Sequence, residues 1–270
     1  QAEDGIRDVE RSRGLGDVYK RQVDTVYHLA GQPGVQTSWG SGFETHLERN
    51  VLATQILLER CLENNVRRVV IASSSSVYGP TNRESKETDL PHPVSPYGVS
   101  KLAAEHLASV YAERGLDVIS LRLFTVYGPR QRPDMSIHRM FDSALKGEPF
   151  PLWGEGKQRR SFTFVDDIVE VFQLAGSVRE ARSRVLNAGG AEPVELLDLI
   201  KTVEELVGCP ITLQQLQKRP GDPDLTCASK DLVTEELGWK PKTPLEIGLR
   251  SQLQWHNSIS EHFHTLQEVG

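Results

Sequence analysis

From Val23 onward, short apolar runs alternate with longer stretches whose apolar residues recur at helical spacing. Val23–Leu29 (VDTVYHL), Arg68–Ser74 (RVVIASS) and Val118–Phe124 (VISLRLF) are rich in β-branched residues and lack a polar face, the pattern of strands buried on both sides. Across Glu44–Asn64, the residues Leu47, Val51, Ile56, Leu57 and Cys61 fall on one helical stripe. Pro96–Gly115 predicts a second helix, with Ser95 as its cap, Pro96 at its first position and Gly115 as its stop. Strands joined by helices of this length require crossover connections. The expected fold class is therefore α/β, a doubly wound parallel sheet of Rossmann type.

Beyond Pro129 the texture changes. Residues 129–160 are rich in Gly, Pro and Arg, and helices are expected at Ser136–Lys146, Val165–Gly176, Val194–Val207 and Leu245–Leu266. This half reads as a smaller, more irregular portion covering a substrate. Residues 1–22 carry scattered charges and almost no apolar periodicity, and they join the first strand abruptly. They are expected to be a non-native or disordered segment and take no part in the fold reasoning.

Composition narrows the class without identifying the chemistry. The chain has 270 residues, 38% apolar and 25% charged, which suits a soluble globular protein with a sizeable core. A net charge of -6 gives no overall basic field for nucleic acid. No apolar run approaches membrane-spanning length, so no membrane partner is expected. Cys61, Cys209 and Cys227 are far apart and form no CxxC or Cys/His spacing, so reduced thiols, a cytoplasmic location and no metal site are expected.

Candidate chemistry starts at Tyr97-Gly-Val-Ser-Lys101, which puts a phenol and an ammonium on one helical face. A free Tyr with a pKa of roughly 10 is a poor base at neutral pH. A neighbouring ammonium and the first helical turn should both lower that value, so that the phenolate can take a proton from a substrate hydroxyl. Most Tyr-x-x-x-Lys pairs are solvated helix surface, so context has to decide. That context is Ala72-Ser73-Ser74-Ser75-Ser76-Val77-Tyr78-Gly79, a serine run leaving the C-terminal end of a predicted strand, where open parallel sheets bind ligands.

Together these segments resemble the extended short-chain dehydrogenase/reductase family of NAD-dependent nucleotide-sugar epimerases and dehydratases. The likeness covers essentially all of 23–250. It includes His28-Leu-Ala-Gly31, Asn50-Val51, Arg122-Leu-Phe-Thr-Val-Tyr-Gly-Pro129, Phe162-Thr-Phe-Val-Asp-Asp167 and Arg219-Pro-Gly-Asp222. The resemblance implies NAD as cofactor, with Leu29, Ala30, Gln32, Asn50 and Ser73 lining it. Ser74 matches the hydroxyl on the reacting sugar oxygen, Tyr97 the acid/base, and Lys101 the residue that holds the nicotinamide ribose and tunes the tyrosine. Arg160 and Arg219 match arginines that grip a nucleotide diphosphate, and Asp222 matches an acid near the uridine ribose. A plain solvated charge at Arg160 and a turn at Asp222 are the competing readings. It also implies a homodimer through a helix pair that includes the Tyr-bearing helix. Leu102, Leu107 and Val110 permit this, although core packing explains them equally well. The implied organisation is an incomplete NAD-binding domain over 23–128, extended by segments around 162–190, and a mainly nucleotide-sugar-binding domain over 129–270.

Within the family, dehydratases resemble Thr-Asp-Glu where this chain has Ser74-Ser75-Ser76, and decarboxylases of UDP-glucuronate show Glu at the position of Ser76. Hydroxyls alone suit oxidation and re-reduction at C4, which is epimerisation. Thr125-Val-Tyr-Gly-Pro-Arg-Gln-Arg132 resembles the UDP-glucuronate 4-epimerase pattern, in which Thr125, Arg132 and the serines Ser75 and Ser76 surround a sugar carboxylate. A UDP-sugar substrate is implied, with UDP-glucose epimerisation and then decarboxylation as alternatives. A non-catalytic nucleotide-sugar binder is the alternative outside enzymes.

No Gly-x-x-Gly-x-x-Gly follows a strand before Val23, and Gly14-Leu-Gly16 has no strand ahead of it. Such a loop cradles the cofactor pyrophosphate at a helix N-terminus. The 270-residue chain as written is therefore expected to hold NAD weakly and to turn over little. Purified protein should carry no cofactor absorbance, and titration calorimetry with NAD should give a weak isotherm; tight, co-purifying NAD reverses this expectation.

Overall fold

The structure is a computed structural model, and it describes residues 23–179, 184–190, 192–218 and 223–268. In chain order its first half comprises β1 (Thr25–His28), helix α1 (42–63), β2 (Arg68–Ser74), α2 (Pro96–Glu113), β3 (Asp117–Leu123) and β4 (Thr125–Tyr127). The second half comprises α3 (Ser136–Lys146), β5 (Phe150–Trp153), β6 (Arg159–Arg160), β7 (Phe162–Phe164), α4 (Val165–Ser177), β8 (Arg184–Ala188) and β9 (Val194–Glu195). It continues with α5 (Leu196–Val207), β10 (Leu213–Leu216), β11 (Leu225–Thr226), α6 (Asp231–Leu237) and α7 (Leu245–Glu268).

The expected parallel sheet is present, with strand order β1-β2-β3-β8 and every pairing parallel. The doubly apolar strands follow from its position between two helical layers. Val69 and Ile71 of β2 face a core shared with Leu58 and Cys61 of α1 and Ala108 and Tyr111 of α2. Val70, one residue out of phase, faces Ile168, Val171 and Phe172 of α4 and Trp239 after α6. Strand alternation thus feeds both cores from one apolar run. A third core, built on Tyr127, Phe141, Phe162, Phe164, Leu199 and Leu249, lies beneath the C-terminal helices.

Several boundaries differ from the sequence expectations. β1 stops at His28, and Leu29 is 61% exposed because the chain leaves the sheet there. Residues Leu47–Leu52 inside α1 form a π-helical stretch. Val194 and Glu195, expected as helix, pair antiparallel with Arg160 and Arg159, and the helix starts at Leu196. β7 pairs with β4 outside the main sheet. The expected segment 1–22 lies outside the described residues. Among the described residues no helix is long and apolar enough to cross a membrane.

One buried cation fastens the bottom of the sheet. Arg68, 0% exposed at the start of β2, donates through Nε (2.9 Å) to the Asp117 carboxylate that opens β3. Its Nη1 donates to Ala175 O at 3.1 Å and also reaches Val178 O, carbonyls left open at the end of α4. Removing one partner strands a buried charge. Arg68→Ala should lower stability by about 3–5 kcal/mol, read as a fall in the urea midpoint; Asp117→Asn, whose carboxylate is partly solvated, should cost less.

Candidate active site

Two caps bring the reacting groups together. Ser74 ends β2, and its Oγ accepts from Ser76 N at 3.2 Å, turning the serine run into a tight 3-10 turn over Ser75–Val77. Ser95 Oγ accepts from Gly98 N at 3.1 Å, which starts α2 and places Tyr97 in its first turn. The turn and the helix end then press together at Gly98. A Cβ there would stand 2.5 Å from Ser76 O and 2.9 Å from Pro93 Cβ, so only glycine permits the approach.

Across this contact the Tyr97 phenol and the Ser74 hydroxyl face one another closely enough for the serine to influence the phenol. Both line a cavity of about 630 Å³, together with Lys101, Ser75, Ser76, Thr125 and Arg132. Leu29, Gln32 and Ser73 line it as well. The structure therefore assembles eight dispersed candidates, and Tyr97 and Lys101 themselves, around one opening.

The electrostatics differ from the expectation at Tyr97. Burial raises its pKa, and the Ser74 hydroxyl and the Arg132 charge pull only partly in the other direction. Lys101 Nζ donates to Ala72 O at 2.7 Å at the end of β2. Lys101 itself is pushed down to about 8 by burial, with Glu105 partly opposing the shift. Glu105 is buried on the next turn of α2. It accepts from Arg122 of β3 at Nε (3.0 Å) and Nη2 (2.7 Å), and from the Ser73 hydroxyl. Sequence reading missed Glu105, although its spacing from Lys101 places it on the same helical face.

Not every expected cofactor residue faces the cavity. Asn50, 1% exposed, accepts from Gln32 N at 2.6 Å and donates to Gln32 O and Ser100 Oγ, both at 2.9 Å. It is a clamp behind the 29–32 turn and does not line the cavity; Ala30 is exposed and likewise outside the lining. The residues that remain suit the nicotinamide-ribose end of NAD. A Cβ on Gly31 would come within 2.9 Å of Asn50 Oδ1 and 3.6 Å of Lys101 Nζ, so the bare backbone keeps a trough open beside the ammonium.

On the sugar side, Arg132 forks onto Asp134, with Nε to Oδ1 and Nη2 to Oδ2 both at 2.9 Å. The pair is exposed, and each partner favours the other's charged form. Arg160 lines an adjoining cavity of about 310 Å³ that shares Thr125 and Val35 with the first. Arg139 also lines it and was not singled out from the sequence. Arg219 and Asp222 lie outside the described residues.

Residues 7–189 match the sequence profile of the NAD dependent epimerase/dehydratase family. The chain belongs to this family. A relative in Bacillus subtilis (strain 168), an uncharacterised UDP-glucose epimerase called YtcB, is 38% identical over 88% of this chain and 75% of its own length. Among solved structures, MoeE5 in complex with UDP-glucuronic acid and NAD superposes with a TM-score of 0.86. It shows 44% identity over 92% of this chain and 84% of MoeE5. The Bacillus cereus UDP-glucuronic acid 4-epimerase in complex with UDP-glucuronic acid and NAD gives the same TM-score at 37% identity. That match covers 92% of this chain and 79% of the enzyme. This epimerase/dehydratase chain therefore shares its sheet with proteins that hold NAD.

The Lys101 environment yields a pH prediction. Nitrogen NMR of lysine-labelled protein should show Lys101 losing its proton near pH 8. Because Glu105 raises that pKa, Glu105→Gln should move the midpoint lower; an unmoved midpoint removes Glu105 from the account.

Proposed function

We propose that the chain catalyses NAD-dependent 4-epimerisation of a UDP-sugar, UDP-glucuronate to UDP-galacturonate. The observation that carries this reading is the Ser74–Tyr97 hydroxyl pair, which opens into one cavity with Ser75, Ser76, Thr125 and Arg132. NAD, when bound, supplies the hydride acceptor and donor at C4, and its oxidised nicotinamide adds a positive charge that favours phenolate. Ser74 holds the reacting sugar oxygen. Tyr97 takes the proton from the 4-hydroxyl as the alcohol becomes a ketone, and returns it when the ketone is reduced. Between these events the 4-keto sugar presents its other face, for which the cavity of about 630 Å³ leaves room.

Oxidation of glucuronate at C4 makes a β-keto acid, which loses carbon dioxide readily. The protein must hold the carboxylate in an orientation unsuited to C–C cleavage. Ser75, Ser76 and Thr125 supply hydroxyls, and Arg132 supplies a fork that already binds the carboxylate of Asp134. The sugar carboxylate would replace Asp134 on that fork. Arg160, beside the adjoining cavity, would meet the diphosphate, as would Arg219, with Asp222 near the uridine ribose. In this reading 23–128 with 162–190 serves NAD and 129–270 mainly serves the nucleotide sugar. A homodimer through α1 and α2 is part of the proposal, supported by the exposed Leu52, Ile56, Val99 and Val110 on those helices. A cytoplasmic setting fits free, reduced Cys61, Cys209 and Cys227. UDP-glucose is the second reading, favoured by YtcB and by the MoeE5 complex with UDP-glucose and NAD.

Incubation with UDP-glucuronate and excess NAD should yield UDP-galacturonate without UDP-pentose. Tyr97→Phe should abolish turnover while UDP binding changes little, and retained turnover would refute the assignment. Arg132→Ala should raise KM for UDP-glucuronate more than for UDP-glucose; equal effects shift the reading to the neutral sugar.

A further inference from the structure

Outside the cavity, α3 and α7 bring together three ligand groups that lie far apart in sequence. His138 and Asp142 stand one turn apart on α3, and His256 arrives from α7. His256 Nε2 lies 3.0 Å from Asp142 Oδ1, and His138 Nε2 lies 3.5 Å from Asp142 Oδ2. One ligand atom from each of the three residues falls within 4.8 Å of the others. The two imidazole rings are 4.5 Å apart between centroids. Both histidines are buried, while the Asp142 side chain is 26% exposed and gives a route from solvent.

Hydrogen bonding fixes the state of His138. Its Nδ1 lies 2.9 Å from Gln131 O, and a backbone carbonyl can only accept, so Nδ1 carries the proton. In the neutral ring, Nε2 then presents a lone pair toward an ionised carboxylate, acceptor against acceptor. A cation between the groups would relieve the mismatch. The same Nδ1–H to carbonyl bond is how metal-bound histidines are usually oriented.

We propose that His138 Nε2, the Asp142 carboxylate and His256 Nε2 form a binding site for a divalent cation of the zinc type, with water as fourth ligand. Bonds of roughly 2.0–2.1 Å in a tetrahedron require ligand atoms about 3.3 Å apart; His256 Nε2 stands 3.0 Å from Asp142 Oδ1 and His138 Nε2 3.5 Å from Oδ2, so a small rotation of the carboxylate would present one oxygen to both. Two imidazoles and one carboxylate are a zinc donor set. Lys146 Nζ now sits 2.7 Å from Asp142 Oδ1 and competes for the carboxylate, but its side chain is 56% exposed and can swing into water. The bound ion would staple α3 to α7. It would also steady Gln131, whose Oε1 accepts from His138 N at 3.0 Å and from Gln252 Nε2 of α7 at 2.9 Å, and which precedes Arg132.

The test uses the full chain, stripped with EDTA and freed of chelator, and titrated with Zn²⁺ by calorimetry and with Co²⁺ by visible absorption. One equivalent should bind, with the intense d–d bands of tetrahedral cobalt and no thiolate charge-transfer band. His138→Ala and His256→Gln, checked for folding by circular dichroism, should each weaken binding by about 100-fold. Lys146→Ala should tighten it, a result no purely structural role for the cluster produces. Lack of binding, a thiolate band pointing to the cysteines, or undiminished affinity in folded His138→Ala would overturn the proposal.

Discussion

Glu105 lies within α2 at 4% exposure and receives both forks of Arg122 from β3 together with the hydroxyl of Ser73 from β2. Three elements therefore share one carboxylate directly behind the reacting groups. Arg122 in turn lies over the Tyr78 ring, with Cζ 4.6 Å from its centroid, and Tyr78 donates to Asn187 at the end of β8. Against an apolar replacement such a buried pair adds little net stability, while loss of one partner is expensive. Its contribution is geometric. It fixes the depth of α2 against the ends of β2 and β3, and with it the positions of Ser74, Tyr97 and Lys101.

The parts that were legible in the sequence are those where local chemistry and tertiary placement agree. The apolar runs of β2 and β3 identified a sheet covered on both faces, and Ser95, Pro96 and Gly115 marked the ends of α2 to within two residues. Leu29 was misplaced because apolar character continues past the last residue that finds a strand partner, and Val194 because its strand partner, Arg160, is distant in sequence and gives no local signal. The serine run and Tyr97 could be matched to a site since each carries its own cap. Glu105, Arg139 and Gln131 were not, because their roles arise only when distant segments meet.

The phenol shows the difference between motif and environment. Spacing placed Lys101 on the face of Tyr97, and the expectation was direct stabilisation of phenolate. In the folded chain the ammonium is committed to Ala72 O, and burial dominates the phenol. Burial therefore outweighs the groups that would favour phenolate, and the phenol keeps its proton more firmly than a free tyrosine.

Gly98 gives this arrangement an unusual vulnerability. Its missing side chain lets α2 lean directly on Ser76 O, so the helix and the serine turn are in close contact. Any methyl group there would wedge the two apart and separate Tyr97 from Ser74 without altering either. An exacting position behind the pocket is thus one with no functional group at all, and a survey of reactive side chains would pass over it.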